Sequence, residues 1–128
     1  MSEDPYGDRV RALFEHPHHA GTLDRARQVL VEDQGVRVAL TADVDRGRIR
    51  ALRFRAYGCP HVIAAAEALC RRYEGRPAAD LEAFEAAELM RELPVPAEKT
   101  GRILVIEDAV RALGNTLRGA SDPESAKG

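Results

Sequence analysis

The residues best placed to do chemistry are Gly58, Cys59, Pro60 and His61, which stand between an arginine-studded strand and an apolar helix. A thiol at the start of a helix lies at the positive end of the helix dipole, which favours the thiolate. The thiolate is the form that ligates metal ions and accepts sulfur, so Cys59 is the first candidate for either role. His61 is a poor general base for it, because residues two apart at a helix start project to different sides. No enzymatic activity is expected. The other cysteine, Cys70, falls on the apolar face of the same helix and reads as a small buried hydrophobe. Eleven residues of helix would hold the two about 16 Å apart, beyond the roughly 7 Å limit between the Cα atoms of a disulfide. Both are expected to be reduced.

Two other clusters invite a functional reading. His16, His18 and His19 surround Pro17 without the fixed spacing of metal histidines on a regular element, and read as solvated loop residues. Arg46, Arg48, Arg50, Arg53 and Arg55 alternate with apolar residues, as the wet face of an antiparallel sheet does. No aromatic residue interleaves with them on that face, apart from Tyr57 near its end, so no nucleic-acid partner is expected. A formal net charge of -2 and a pI near 6.1 agree with that.

The elements that must position Cys59 follow from periodicity. Pro5 behind Asp4 suits a helix start, and Tyr6, Val10, Leu13 and Phe14 share one face, up to His16 before Pro17. A short strand is predicted over 28–32, carried by Val29 and Val31, with Asp33, Gln34 and Gly35 as the turn after it. Val36, Val38, Leu40, Ala42 and Val44 alternate with polar residues and predict a half-buried strand. After the Asp45, Arg46 and Gly47 loop, residues 48–57 return with Leu52, Phe54 and Ala56 on one face. Val62, Ala66, Leu69, Cys70 and Tyr73 mark the buried stripe of the helix after Cys59, which Gly75 and Pro77 end. One or two short helices are predicted over 80–93, and a long helix over about 98–118 carrying Ile103, Ile106, Val110, Leu113 and Leu117. The expected fold is α+β, a three-stranded antiparallel sheet packed against helices, with an N-terminal helix and a long C-terminal helix. With 128 residues, 45% of them hydrophobic, one domain over 1–118 and a flexible tail over 119–128 are predicted. No apolar run approaches the about 18 residues of a membrane span, and the start of the chain is acidic and polar. A cytoplasmic protein without a membrane partner is expected.

This order of elements, with the run Gly47…Arg53, Phe54…Tyr57, Gly58, Cys59, resembles the iron-sulfur cluster assembly scaffolds of the IscU type, also found as the N-terminal domain of NifU. Ile103, Leu104, Glu107, Asp108 and Ala109 resemble the Ile-Leu-Ala-Glu-Asp-Ala run of those scaffolds, and His16 to Gly21 stands where they carry an Asn-Pro-x-Asn-x-Gly turn. Members of that family normally hold three cysteines, of which only Cys59 is present here. The first falls on Asp33 or Glu32, so that a carboxylate replaces the thiol. The third, with its preceding histidine, falls on Arg102 and Gly101, and an arginine cannot ligate a cation.

The resemblance implies a role in cluster biogenesis, with Cys59 as sulfur acceptor or labile metal ligand and Asp33 as a second metal ligand. The implied cargo is a labile iron-sulfur cluster, iron or zinc, or none at all. A cysteine desulfurase and other cluster-assembly proteins are the implied partners, and a homodimer is a further expectation. Leu93, Pro94, Val95 and Pro96 imperfectly match the Leu-Pro-Pro-Val-Lys stretch by which such scaffolds engage a chaperone. The alternative is a ligand-depleted homologue that binds proteins as an adaptor or regulator without a cluster.

Overall fold

Val36, Val38, Leu40 and Ala42 all lie within 2% of complete burial, and their alternation with more exposed neighbours makes strand β2, Val36–Asp45, the middle of the sheet. In this computed structural model, residues 7–24, 26–93 and 95–121 are described. The expected helix start at Asp4, Pro5 and Tyr6, the tail beyond 121 and the stretch through Pro94 lie wholly or partly outside them.

Strand β1, Arg27–Asp33, and strand β3, Arg48–Tyr57, flank β2, both antiparallel to it. β1 is one residue longer at each end than predicted. Helix α1, Gly7–Glu15, precedes the sheet, and α2, Pro60–Tyr73, follows it. A 3-10 turn at Ala78–Ala83, helix α3 at Ala86–Glu92, a 3-10 turn at Ala97–Lys99 and helix α4 at Thr100–Ser121 complete the chain. α4 runs on past Gly119, where the sequence pattern placed its end, because a single glycine weakens a helix by only about 1 kcal/mol.

One face of the sheet carries the core. α4 packs on β1 and β2, α2 packs on β3, and α1 lies against α2. The opposite face carries Leu30, Arg37 and Arg55, which stay exposed, with Glu32 and Arg37 paired across strands at 2.9 Å. The α+β architecture and the solvated arginine face are as the residue pattern predicts. Arg50 pairs with Asp43 and Arg53 with Glu74, so that face is a set of ion pairs as well as a wet surface.

The loop between α1 and β1 departs from expectation. His19 is held in place: its Nδ1 lies 2.7 Å from Glu67 Oε2 and its Nε2 lies 3.0 Å from Glu74 Oε1. Its backbone N–H also donates to Glu67 at 2.8 Å. The reading of His19 as a solvated loop residue is therefore corrected. The physical reason is Glu67, fully buried on α2, whose carboxylate needs donors that, among the described residues, this loop and Arg71 supply. His16 and His18 stay exposed.

Two turns set the sheet register, Asp33 to Val36 and Asp45 to Arg48, and each has a non-glycine residue in the left-handed region, Gln34 at φ 56° and Arg46 at φ 55°. Both are followed by glycines that share that conformation, Gly35 and Gly47, as two-residue hairpin turns require. Asparagine tolerates the left-handed region better than arginine does. Arg46→Asn is expected to stabilise the fold by about 0.5 kcal/mol in urea denaturation, and a loss of stability would contradict this account of the turn.

Candidate functional site

Tyr57 ends β3, Cys59 caps α2, and Pro60 begins the helix with the fixed φ that suits its first turn. Cys59 has extended geometry, φ -78° and ψ 169°, and its carbonyl accepts from the N–H of Val62 at 2.9 Å and of Ile63 at 3.3 Å. The thiol is half-buried. Burial works against its ionisation, but the Val62 N–H, the Arg102 side chain, the His61 N–H and the charge of Lys99 outweigh it. The Cys59 thiol therefore lies below its ordinary value of 9.0. Arg102 comes from the first turn of α4 and Lys99 from the 3-10 turn that leads into it.

The β1 to β2 turn and the start of α4 come together at this end of the sheet, the latter beside Cys59. The Arg102 side chain favours the Cys59 thiolate, and the turn between β1 and β2 reaches the start of α4. Gln34 makes that second contact: a Cβ built on Gly101 would lie 3.8 Å from Gln34 Oε1. Asp33 is exposed, and its Oδ1 accepts the Gln34 N–H at 2.8 Å within the turn. Gln34 was not singled out from the sequence. Its only signal was a place in the turn that resembles the Cys-Gly-Asp turn of the scaffolds.

His61 is buried and is drawn toward its neutral form by burial, then by the charge of Lys99. Its backbone N–H favours the Cys59 thiolate. Cys70 is fully buried on α2, where burial pushes its thiol well up, the inert state expected of it. Among the described residues no group of three or more His, Cys, Asp or Glu side chains is placed to hold a metal ion. A protein-held cluster takes about four thiolate or imidazole ligands, so the donor set of one chain does not fit one. Among the described residues no helix is long and apolar enough to cross a membrane.

Comparison with known proteins agrees with this geometry. Residues 5–116 match the family described as the NifU-like N terminal domain. The chain is 28% identical over 115 residues to the iron-sulfur cluster assembly scaffold protein IscU of Azotobacter vinelandii, covering 84% of this chain and 89% of that protein. It is also 28% identical over 115 residues to the mitochondrial iron sulfur cluster assembly protein 1 of Eremothecium gossypii, covering 84% of this chain and 75% of that one. A crystal structure of a nitrogen-fixing NifU-like protein (N-terminal) from Brucella abortus has the same fold, with a TM-score of 0.57 at 17% identity over 88% of this chain and 80% of that one. A three-stranded sheet under α2 and α4, a thiol at the strand-to-helix joint and a match along most of its length lead to one assignment: the chain belongs to the NifU-like N-terminal domain family of IscU-type scaffolds.

Proposed function

We propose that this protein takes part in iron-sulfur cluster biogenesis by accepting sulfane sulfur on Cys59. The observation that carries this reading is the half-buried Cys59 thiol at a helix start, with the Arg102 side chain and nearby backbone N–H groups favouring its thiolate. The Cys59 thiolate attacks the outer sulfur of a donor persulfide, R–S–SH. The donor S–S bond breaks, a new S–S bond forms to Cys59, and the donor leaves as the thiolate R–S⁻. No oxidant is consumed, and the guanidinium of Arg102 with the local N–H groups stabilises the anion before and after transfer. The donor is a cysteine desulfurase, by likeness to the relatives. Labile binding of iron or zinc by Cys59, with the exposed carboxylate of Asp33 as second ligand, is the coarser variant of the same reading.

Mass spectrometry after incubation with a desulfurase and free cysteine tests it. The expected product carries the mass of one added sulfur atom on Cys59, absent after Cys59→Ser and removed by reductant. No mass gain on Cys59 would dispose of the sulfur-acceptor role. Arg102→Ala is expected to raise the Cys59 pKa, shifting the curve of alkylation rate against pH to higher pH and slowing alkylation at neutral pH. An unshifted curve would mean that Arg102 does not activate the thiol.

A second reading rests on the same Arg102: a ligand-depleted adaptor that keeps the partner surfaces of the family. Retrieval of cluster-assembly proteins would then be unaffected by Cys59→Ser. Loss of retrieval with the thiol would count against the adaptor.

A further inference from the structure

β3 is an edge strand, and most of its free edge is covered. The Ile49 N–H donates to the Arg76 carbonyl at 2.9 Å, and the Ile49 carbonyl accepts from the Gly75 N–H at 2.7 Å. Leu52 N–H donates to Glu74 Oε2 at 2.9 Å, and Arg53 Nη1 donates to the Leu52 carbonyl at 2.8 Å. The Phe54 N–H donates to the His19 carbonyl at 2.9 Å, and the Phe54 carbonyl accepts from the Gly21 N–H at 2.7 Å. His19 to Gly21 thus forms a one-bridge strand, parallel to β3.

Ala56 comes next along this edge. Hydrogen-bonding direction alternates along an antiparallel strand, and Val38 opposite Ala56 repeats the pair type of Leu40 opposite Phe54. The Ala56 N–H and C=O therefore face outward as those of Phe54 do, but among the described residues nothing bonds to them. An open cavity of about 460 Å³ lies at this gap, lined by Phe14, Pro17, Ala20, Phe54, Arg55 and Ile63 among others. Phe14 is 37% exposed, unusual for a large apolar side chain that faces a groove. Arg55 is exposed, with no ion pair to any described residue.

We propose that this gap is a docking site for an extended, acidic segment of a partner protein, which adds to the edge of β3 at Ala56 beyond the His19 to Gly21 bridge. The outward N–H and C=O call for an extended backbone, the cavity for an apolar side chain, and Arg55 for a carboxylate. The site does not depend on what Cys59 accepts. It does lie close: Cys59 is three residues past Ala56, about 10 Å along an extended chain, so a bound strand that continues in the direction of β3 comes to the thiol.

The probe is a fluorescein-labelled blocked peptide, Glu-Val-Glu-Val-Asp-Val-Glu, titrated into the intact chain by fluorescence polarisation and by amide NMR. Saturable binding is expected, with the largest shifts at Ala56, Arg55 and Ile63. Methylation of alternate peptide nitrogens removes the ladder hydrogen bonds and is expected to weaken binding about tenfold. Exchange of the acidic residues for lysine is expected to weaken it about fivefold or more. Ala56→Pro removes one outward N–H at an edge position where proline is tolerated, with a similar tenfold loss expected. The methylated peptide carries the test if that variant does not fold. Absence of saturable binding, equal binding of the methylated or lysine peptide, or an Ala56 amide already protected from exchange in the free protein would each overturn the proposal. The last would mean that the chain's own N-terminal segment or a second copy covers the edge.

Discussion

Glu67→Ala is expected to destabilise the fold by about 3 kcal/mol, the low end of the range for breaking a buried ion pair, because Arg71 can turn to solvent once released. The Glu67 side chain is fully buried and takes three donors: the His19 N–H at 2.8 Å, His19 Nδ1 at 2.7 Å and Arg71 Nε at 2.7 Å. His19 also reaches Glu74, which accepts from the Leu52 N–H and Arg53, so one network joins the loop, α2 and β3. Removing Glu67 strands the loop that covers the β3 edge. Urea denaturation measures the effect, and a loss below about 1 kcal/mol would mean that the network is incidental. Glu67→Gln keeps the shape and one acceptor and should fall between the two.

The same network sets the acid limit. Burial opposes ionisation of Glu67, but Arg71 and the two His19 donors outweigh it and hold the carboxyl below its ordinary 4.5. Glu74 is lowered in the same sense, burial being outweighed by the Leu52 N–H, His19 and Arg53. A folded pKa below the unfolded value gives stability that is fully present above about pH 4.5 and is lost as pH falls through the lowered folded values. Glu67→Gln should flatten the acid limb of stability against pH.

How much of this was legible in the sequence depends on whether a residue's partner was local. Val36 to Ala42 and Leu52 to Ala56 announce their strands by alternation, and Ile103 to Leu117 announce a helix by spacings of three and four. Cys59 is legible as a joint because Gly58 and Pro60 punctuate it. Glu67 is not legible, since its partner His19 lies 48 residues away and local pattern cannot say that a glutamate in an apolar helix is buried. Gln34 is hidden for a related reason. The turn after β1 was readable, but which of its side chains meets α4 depends on how the helix crosses the sheet. Arg102 was placed beside Cys59 by resemblance alone.

That placement leads to the second large effect. If Arg102 and Asp33 occupy positions where the family carries thiols, the double variant Asp33→Cys, Arg102→Cys should rebuild a three-thiolate site around Cys59. The Arg102 side chain already favours the Cys59 thiolate, so a sulfur on the same turn of α4 replaces a fixed positive charge with a donor. The β1 to β2 turn is close to that helix start through Gln34 and Gly101. Affinity for cobalt(II) or zinc(II) is expected to rise by about a thousandfold or more over the starting protein, because each added thiolate contributes both charge and a bond. Thiolate-to-cobalt charge-transfer absorption reads it directly, and Arg102→Cys alone should give a smaller gain. If the double variant folds and binds cobalt no better than the starting protein, Asp33 and Arg102 do not stand at ligand positions. If Gln34→Cys substitutes better than Asp33→Cys, the register of the turn is one residue later, in line with the Gln34 contact to α4.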